Sequence, residues 1–168
     1  MRSFAAGMLA ITLLALLLTQ VDKLLLSRLL TLESFGYYVI AGAAANGLQA
    51  LTGPVTTALH PRFTELATRG DHLALRRIYH RGAQLVSVLT GSAAIVLMVF
   101  AEQVLALWTR DTALAQRVAP MLSLLALGTL FNALMMIPNQ MQLAHGWTSL
   151  IVKINILAVA IFVPAVLF

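Results

Sequence analysis

The 168-residue chain is too apolar to form a soluble domain. Hydrophobic residues make up 60% of it, charged residues only 10%, and its mean hydropathy is +0.90. An average soluble domain carries roughly a quarter charged residues, whereas a bilayer accepts apolar side chains on the outside of a fold. The formal net charge is +5, and the absence of cysteine excludes disulfides and thiolate metal sites.

Five apolar segments are each about as long as the roughly 20 residues that a membrane-spanning helix needs. They predict an all-α, polytopic membrane helix bundle that forms a single domain. The first segment is too long for the core of a signal peptide, and no small-residue cleavage site follows it, so we expect a span there. The predicted spans cover residues 4–30, 37–59, 83–107, 120–143 and 148–168.

The connection between the second and third spans, residues 60–82, is long and basic. Gly70 is predicted to end one helical piece, and Asp71 to cap a helix that continues into the third span. Asp111 is placed in the same way to cap the helix of the fourth span. The arginines of this basic connection are Arg62, Arg69, Arg76, Arg77 and Arg81.

The distribution of basic residues predicts an orientation in the membrane. With five spans, the N-terminus, the basic connection and the turn at 144–147 lie on the same side. Together with Lys153 near that turn, this side carries seven of the 11 Lys and Arg residues. The side richer in Lys and Arg is generally cytoplasmic, so we expect a cytoplasmic N-terminus. The arginines either enforce this topology and touch anionic lipid head groups, or form the cytoplasmic mouth of a path for an anionic substrate.

Polar residues of the first span share one side of the predicted helix. Thr12, Thr19, Lys23 and Ser27 fall together at 100° per residue, and Asp22 flanks them. A charged group in lipid is costly unless it faces other helices or water. Asp22 and Lys23 are therefore each expected to face a partner on another helix or water in a cavity. The alternative is that both lie near the membrane interface, with Lys23 extending towards it.

The second span carries a polar stripe whose members recur at steps of three or four residues. Pro54 lies beside the stripe, where it would remove one helical hydrogen bond and bend the helix. The stripe either lines a polar central cavity, with the bend at Pro54 helping it to open and close, or forms a tightly packed polar seam. Its members are Gly42, Asn46, Gln49, Gly53, Thr56 and His60.

The fourth span repeats this arrangement. Gly128, Asn132 and Asn139 share a stripe, and Pro138 interrupts the predicted helix, so that Pro54 and Pro138 are the two candidate hinges. No pattern points to catalysis, because the four histidines lack the spacing of a zinc motif and there is no nucleophile set or phosphate loop. We therefore expect no enzyme activity, cofactor or metal site, and no nucleic-acid partner.

Several short runs occur in an ordered series between about Gln20 and Asn155. The first is Gln20-Val-Asp-Lys-Leu-Leu-Leu-Ser-Arg-Leu-Leu, followed by Leu32-Glu-Ser-Phe-Gly-Tyr-Tyr38. Later runs are Gly53-Pro54, His60-Pro61-Arg62-Phe63, Gly70-Asp71, Pro138 and Gln142-Leu-Ala-His-Gly-Trp147. The series resembles the second half of bacterial polysaccharide flippases, the translocases of O-antigen (lipopolysaccharide) and exopolysaccharide in the multidrug/oligosaccharidyl-lipid/polysaccharide exporter superfamily.

The resemblance implies two helical bundles that face each other across a central cavity and move a lipid-linked oligosaccharide between leaflets by alternating access. The chain would supply spans seven to eleven, so that it is a partial transporter whose partner is the missing N-terminal helical half. The expected location is the bacterial cytoplasmic (inner) membrane, as a multi-pass protein in contact with membrane lipids.

The cargo implied by the resemblance is an undecaprenyl-pyrophosphate-linked oligosaccharide, which has an anionic head and a polar glycan. Amides can bond sugar hydroxyls, and a cation can offset phosphate charge. The alternatives are a multidrug or peptidoglycan-precursor exporter of the same superfamily, or a non-transporting membrane module that partners polysaccharide-synthesis enzymes. The candidate cavity residues are Lys23, Asn46, Gln49, Asn132 and Asn139, with Asp22 a candidate for ion or proton coupling.

Overall fold

The computed structural model describes residues 9, 20, 23–147, 149–150 and 152–157. These residues are helical almost throughout and include no strand, which confirms the predicted all-α membrane helix bundle. Residues 23–29 and 152–157 are helical as well. The helices with complete bounds are α1 (Leu32–Asn46), α2 (Gln49–Arg69), α3 (His72–Val99), α4 (Ala101–Thr109) and α5 (Thr112–Ala144).

Two helices in the described part of the chain, α3 and α5, are long and apolar enough to cross a membrane. Helix α3 carries no charged residue from 82 to 99, and α5 carries none after Arg117. At about 1.5 Å per residue the uncharged part of α3 is about 27 Å long, close to the hydrocarbon thickness of a bilayer.

The chain divides into two compact units, of which one is Gly36–Met141 and the other comprises the residues on either side of it. We call Gly36–Met141 the central unit. The predicted first and fifth spans belong to the other unit, and they lie largely outside the described residues.

The predicted second span is not one continuous helix. Helix α1 ends at Asn46 and α2 begins at Gln49. The amides of Gly47, Leu48, Ala50 and Leu51 all donate to carbonyls three residues earlier, at 3.1–3.2 Å, which is the tighter 3₁₀ pattern. A side chain at Gly47 would bring its Cβ to 3.0 Å from the Ala44 carbonyl, so glycine suits this turn.

The basic connection, predicted as a loop over 60–82, is helical except at Gly70 and Asp71. Helix α2 continues to Arg69 and ends at Gly70, whose φ of 71° lies in the left-handed region that favours glycine. Asp71 accepts a hydrogen bond from the Ala74 amide at 3.0 Å, which confirms it as the cap of α3. The connection between α2 and α3 is therefore a tight helical hairpin.

The predicted third span is also divided. Helix α3 ends at Val99 and α4 begins at Ala101, with Phe100 at φ −105° and ψ 27° between them. The Phe100 amide still donates to the Val96 carbonyl, and its own carbonyl accepts from Val104, so the backbone bonding runs through the bend. Neither glycine nor proline occurs there, so the sequence gives no sign of it.

Alanines are prominent where the helices of the central unit pack. Helices α1, α4 and the first half of α5 pack together through a cluster dominated by alanine, next to which Leu105, Val118 and Leu122 are fully buried. A second cluster joins Leu48, at the turn between α1 and α2, to α3 and α5. Small side chains let helix backbones approach closely in a membrane.

Candidate functional site

The hydrogen bond between Gln49 and Asn132 joins two of the predicted cavity residues across 83 positions of sequence. The Gln49 side-chain amide donates from Nε2 to Asn132 Oδ1 at 3.0 Å. Gln49 is the first residue of α2, directly after the 3₁₀ turn, and Asn132 lies in the middle of α5. The turn therefore places an amide where it meets a second helix.

Thr52 holds the Gln49 end of this contact. Its hydroxyl lies 3.0 Å from the Gln49 backbone oxygen and 3.4 Å from Gln49 Oε1. Thr52 is buried, as is Thr56 one turn later, whose hydroxyl donates to the carbonyls of Thr52 and Gly53. Thr52 is not among the predicted stripe residues, although its position three residues after Gln49 places it on the same side of α2.

Asn132 and Asn139 lie on the exposed side of α5. The two residues are seven positions apart, so they share one face of the helix. The buried face of α5 is formed by apolar residues such as Leu122 and Ile137. Phe131 and Met135, next to them, are 60% and 59% exposed. The polar stripe of the fourth predicted span thus borders large apolar side chains on an open surface of the central unit.

Three of the predicted cavity amides keep open hydrogen-bonding groups. The side chains of Asn46 and Asn139 are exposed and bond to no group in the described part of the chain, and Asn132 uses only its oxygen. Asn46 is the last residue of α1, at the edge of the 3₁₀ turn. These amides can still donate and accept.

The two candidate hinge prolines both lie inside helices. Pro54 is in α2 and Pro138 in α5, and each helix continues past its proline. Proline has no N–H, so the carbonyls of Ala50 and Leu134, four residues earlier, lose their helical donors. That the two prolines act as hinges during function stays a prediction.

Lys23 and Asp22 belong to the other unit. Lys23 is exposed on the helical segment 23–29, and Asp22 lies outside the described residues. Their predicted roles in binding and coupling stay predictions.

Comparison with known families decides the identity of the chain. Residues 1–111, about two thirds of it, match the family model described as "Polysaccharide biosynthesis protein". The chain belongs to the polysaccharide biosynthesis protein family. This match confirms the family resemblance predicted from the sequence, and the apolar helices α3 and α5 agree with a membrane location. No curated protein and no solved structure matches the chain.

Within this family member, the arginines of the basic connection fall into two groups. Arg62 and Arg69 both pair with Glu65 on α2, at 2.6 and 3.0 Å. The hydrogen bond from Arg62 and then the charge of Arg69 lower the pKa of Glu65 below its usual range. The two arginines of the first group therefore share one carboxylate, which offsets one of their two positive charges.

The second group of arginines lies in the first ten residues of α3. Arg76, Arg77 and Arg81 are exposed and form no ion pair with any acidic residue in the described ranges. Their positive charge stands directly before the uncharged stretch from 82 to 99. This second group supplies the positive charge available to anions at that end of α3.

Proposed function

We propose that this membrane protein translocates a lipid-linked oligosaccharide from the inner to the outer leaflet during cell-surface polysaccharide synthesis. Under this proposal it is a transporter rather than an enzyme, and it lies in the bacterial inner membrane with a cytoplasmic N-terminus. The observation that carries the proposal is the group of open amides at Asn46, Asn132 and Asn139, in apolar helices of a polysaccharide-synthesis family member.

The chemistry of these amides fits a glycan. Side-chain amides carry both donors and acceptors, which sugar hydroxyls can satisfy in either direction. In hydrocarbon an unsatisfied amide is costly, so exposed amides on a membrane helix are expected to meet water, substrate or another helix. An undecaprenyl-pyrophosphate-linked oligosaccharide provides such hydroxyls.

The 3₁₀ turn between α1 and α2 supports alternating access. Non-helical backbone at membrane depth is tolerated where it is buried in protein or lines a water-filled cavity, and short 3₁₀ stretches inside helices often mark hinges. Asn46 and Gln49 flank this turn, and Pro54 follows within two helical turns. A movement at the turn would separate Gln49 from Asn132 and expose both amides.

The open side of α5 supports a partner bundle. Asn132 and Asn139 lie between exposed apolar residues rather than against the core of the central unit. We therefore propose that a second helical half faces this side and that the cavity forms between the two.

A complementation experiment tests the proposal. Cells that lack the gene receive the wild-type chain or Asn132→Leu, and surface polysaccharide and lipid-linked oligosaccharide are measured. Translocation predicts that Asn132→Leu lowers surface polysaccharide and that the lipid-linked intermediate accumulates on the cytoplasmic leaflet. Phe131→Leu, at the neighbouring exposed position, is the matched control and should transport normally. Wild-type export by Asn132→Leu, Asn46→Leu and Asn139→Leu would refute the amide site.

The Gln49–Asn132 hydrogen bond favours one alternative, a non-transporting membrane module whose polar helix faces are sealed. Because the chain has no cysteine, single cysteines distinguish the two functions in the assembled protein. Transport predicts that Asn46→Cys and Asn132→Cys react with a water-soluble thiol reagent, whereas Leu124→Cys on the apolar surface does not. Failure of both sites to react, while His72→Cys at the start of α3 reacts, would favour the sealed module.

A further inference from the structure

A groove of about 500 Å³ lies between α2 and α3, away from the amide site. Residues of α2 between Pro54 and Leu59 form one wall, and Ile78 and Leu85 of α3 form the other. The lining is apolar except for one charged side chain, that of Arg81.

Gly82 fixes how closely the walls of this groove approach. A Cβ at this position would lie 2.6 Å from Leu59 Cδ1 and 3.6 Å from Ile137 Cδ1. The absence of a side chain therefore lets α2 and α3 meet, with α5 close behind. Arg81 is the residue directly before Gly82, so its charge stands beside this contact between helices.

Arg81 lies at the boundary between the charged and the uncharged part of α3. It is the last charged residue before the uncharged stretch that runs from 82 to 99. At such a boundary an arginine lies at the level of lipid phosphates. The rest of the groove is apolar, as a hydrocarbon chain requires.

Arg81 has no acidic partner in the described part of the chain. The two acidic residues of the same hairpin already bind other groups. Glu65 pairs with Arg62 and Arg69. Asp71 accepts from the Ala74 amide as the cap of α3. Among the described residues the guanidinium of Arg81 is therefore open to a bound anion, and arginine binds phosphate in a bidentate geometry.

We infer that the groove binds an anionic phospholipid of the surrounding membrane, with its phosphate on Arg81 and one acyl chain between α2 and α3. The groove and the amide site share no amide residue, although Pro54, the candidate hinge of α2, lines the groove. Loss of lipid selection would therefore leave the amide site and its own test untouched. In a bilayer, any lipid tail satisfies an apolar groove equally well, so the charge of the head group decides which lipid occupies it. The groove therefore selects anionic over zwitterionic lipid.

Electron paramagnetic resonance of spin-labelled lipids tests this selection. The full chain is reconstituted in vesicles of phosphatidylcholine and phosphatidylglycerol, and the protein-immobilised fraction of each labelled lipid is compared. The wild-type chain should hold phosphatidylglycerol in preference to phosphatidylcholine, and Arg81→Gln should reduce that preference by about fivefold, the effect of one basic residue near the surface. Arg76→Gln, the same charge change outside the groove, should retain it.

A second pair of variants tests the groove itself without changing charge. Ala58 lines the groove and Thr57 does not, and both are exposed on α2. Ala58→Phe should fill the groove and remove the preference, whereas Thr57→Phe should keep it. Circular dichroism and gel filtration establish that each variant is folded, and Ala58→Phe decides the question if Arg81→Gln does not fold.

Two outcomes would overturn the inference. Equal losses in Arg81→Gln and Arg76→Gln, with none in Ala58→Phe, would show diffuse attraction to the surface instead of a bound lipid. Displacement of labelled phosphatidylglycerol by a polyprenyl phosphate, but not by unlabelled phosphatidylglycerol, would assign the groove to the polyprenyl carrier.

Discussion

Gln49 donates a hydrogen bond to Asn132 at 3.0 Å and so joins the beginning of α2 to the middle of α5. The contact occurs directly after the 3₁₀ turn, at the point where the predicted second span is interrupted. A movement of α2 against α5 must break or stretch this bond. The pair is therefore a place where a conformational change of the central unit can be measured.

The energetic coupling of Gln49 and Asn132 should be small but measurable. Hydrogen bonds between side chains of membrane helices contribute about 0.6 kcal/mol on average in double-mutant cycles. We expect Gln49→Leu and Asn132→Leu, measured alone and together by unfolding in detergent, to show a coupling of about that size.

Asn139→Leu is the matched control for this cycle, because Asn139 lies on the same face of α5 and forms no hydrogen bond with Gln49. Its combination with Gln49→Leu should be additive. Coupling of Gln49 with Asn139 as strong as that with Asn132 would contradict the specific contact.

A side chain at Gly82 should destabilise the packing of α2 on α3. Gly→Ala inside a helix ordinarily stabilises by about 0.5–1 kcal/mol, and we expect that gain for Gly91→Ala, where no atom lies within 4 Å of the added Cβ. At Gly82 the added Cβ would be 2.6 Å from Leu59 Cδ1. This atom is the end of a flexible side chain, so Leu59 must leave its present rotamer to admit the Cβ, which costs about 0.5–1.5 kcal/mol and offsets the usual gain.

The comparison of the two glycines in the same unfolding assay isolates the contact. Gly82→Ala should be less stable than Gly91→Ala by about 1 kcal/mol, the cost of moving the Leu59 side chain. The difference should shrink in the Leu59→Ala background, where the opposing methyl group is gone. Equal stability of the two variants in the wild-type background would show that α2 and α3 do not meet at Gly82.

Local sequence chemistry predicted the helix ends well. Gly70 and Asp71 form the stop and the cap that their residue types indicate, and the Asp111 carboxylate accepts from the Leu114 amide at 3.0 Å as predicted. Such signals depend on one turn of backbone, so they can be recognised without knowledge of the fold.

The interruptions inside the predicted spans were not recognised in the sequence. The predicted polar stripe assumes one helix through Asn46 and Gln49, yet the 3₁₀ turn lies between these two residues. The bend at Phe100 has no helix breaker beside it. The contact of Gln49 with Asn132 depends on how α2 meets α5, which helical periodicity cannot give. Periodicity predicted the stripe members of α5 correctly as one face, but not that this face is open.

Loss of the Asp71 carboxylate should destabilise the start of α3. Asp71→Ala removes the acceptor for the Ala74 amide, and loss of an N-cap costs about 1 kcal/mol. Asp71→Asn keeps a side-chain acceptor and should retain most of the stability. Chemical denaturation of the three proteins measures this, and equal losses in the Ala and Asn variants would exclude a capping role.

Titration of Glu65 tests the ion pairs of the basic connection. The hydrogen bond from Arg62 lowers the pKa of Glu65 most, and the charge of Arg69 adds to it, so Arg62→Gln should raise this pKa more than Arg69→Gln. A lowered pKa means that the ionised form stabilises the folded hairpin above the ordinary glutamate range, about pH 4.3. That stabilisation is lost as the pH falls through the folded pKa.

Carbon-13 NMR of the Glu65 carboxyl group in micelles follows the titration directly. Arg76→Gln, which removes an arginine outside these pairs, should leave the pKa of Glu65 unchanged. A pKa of Glu65 at the ordinary value in the wild-type chain, or an unchanged pKa in Arg62→Gln, would show that the pair does not form in solution.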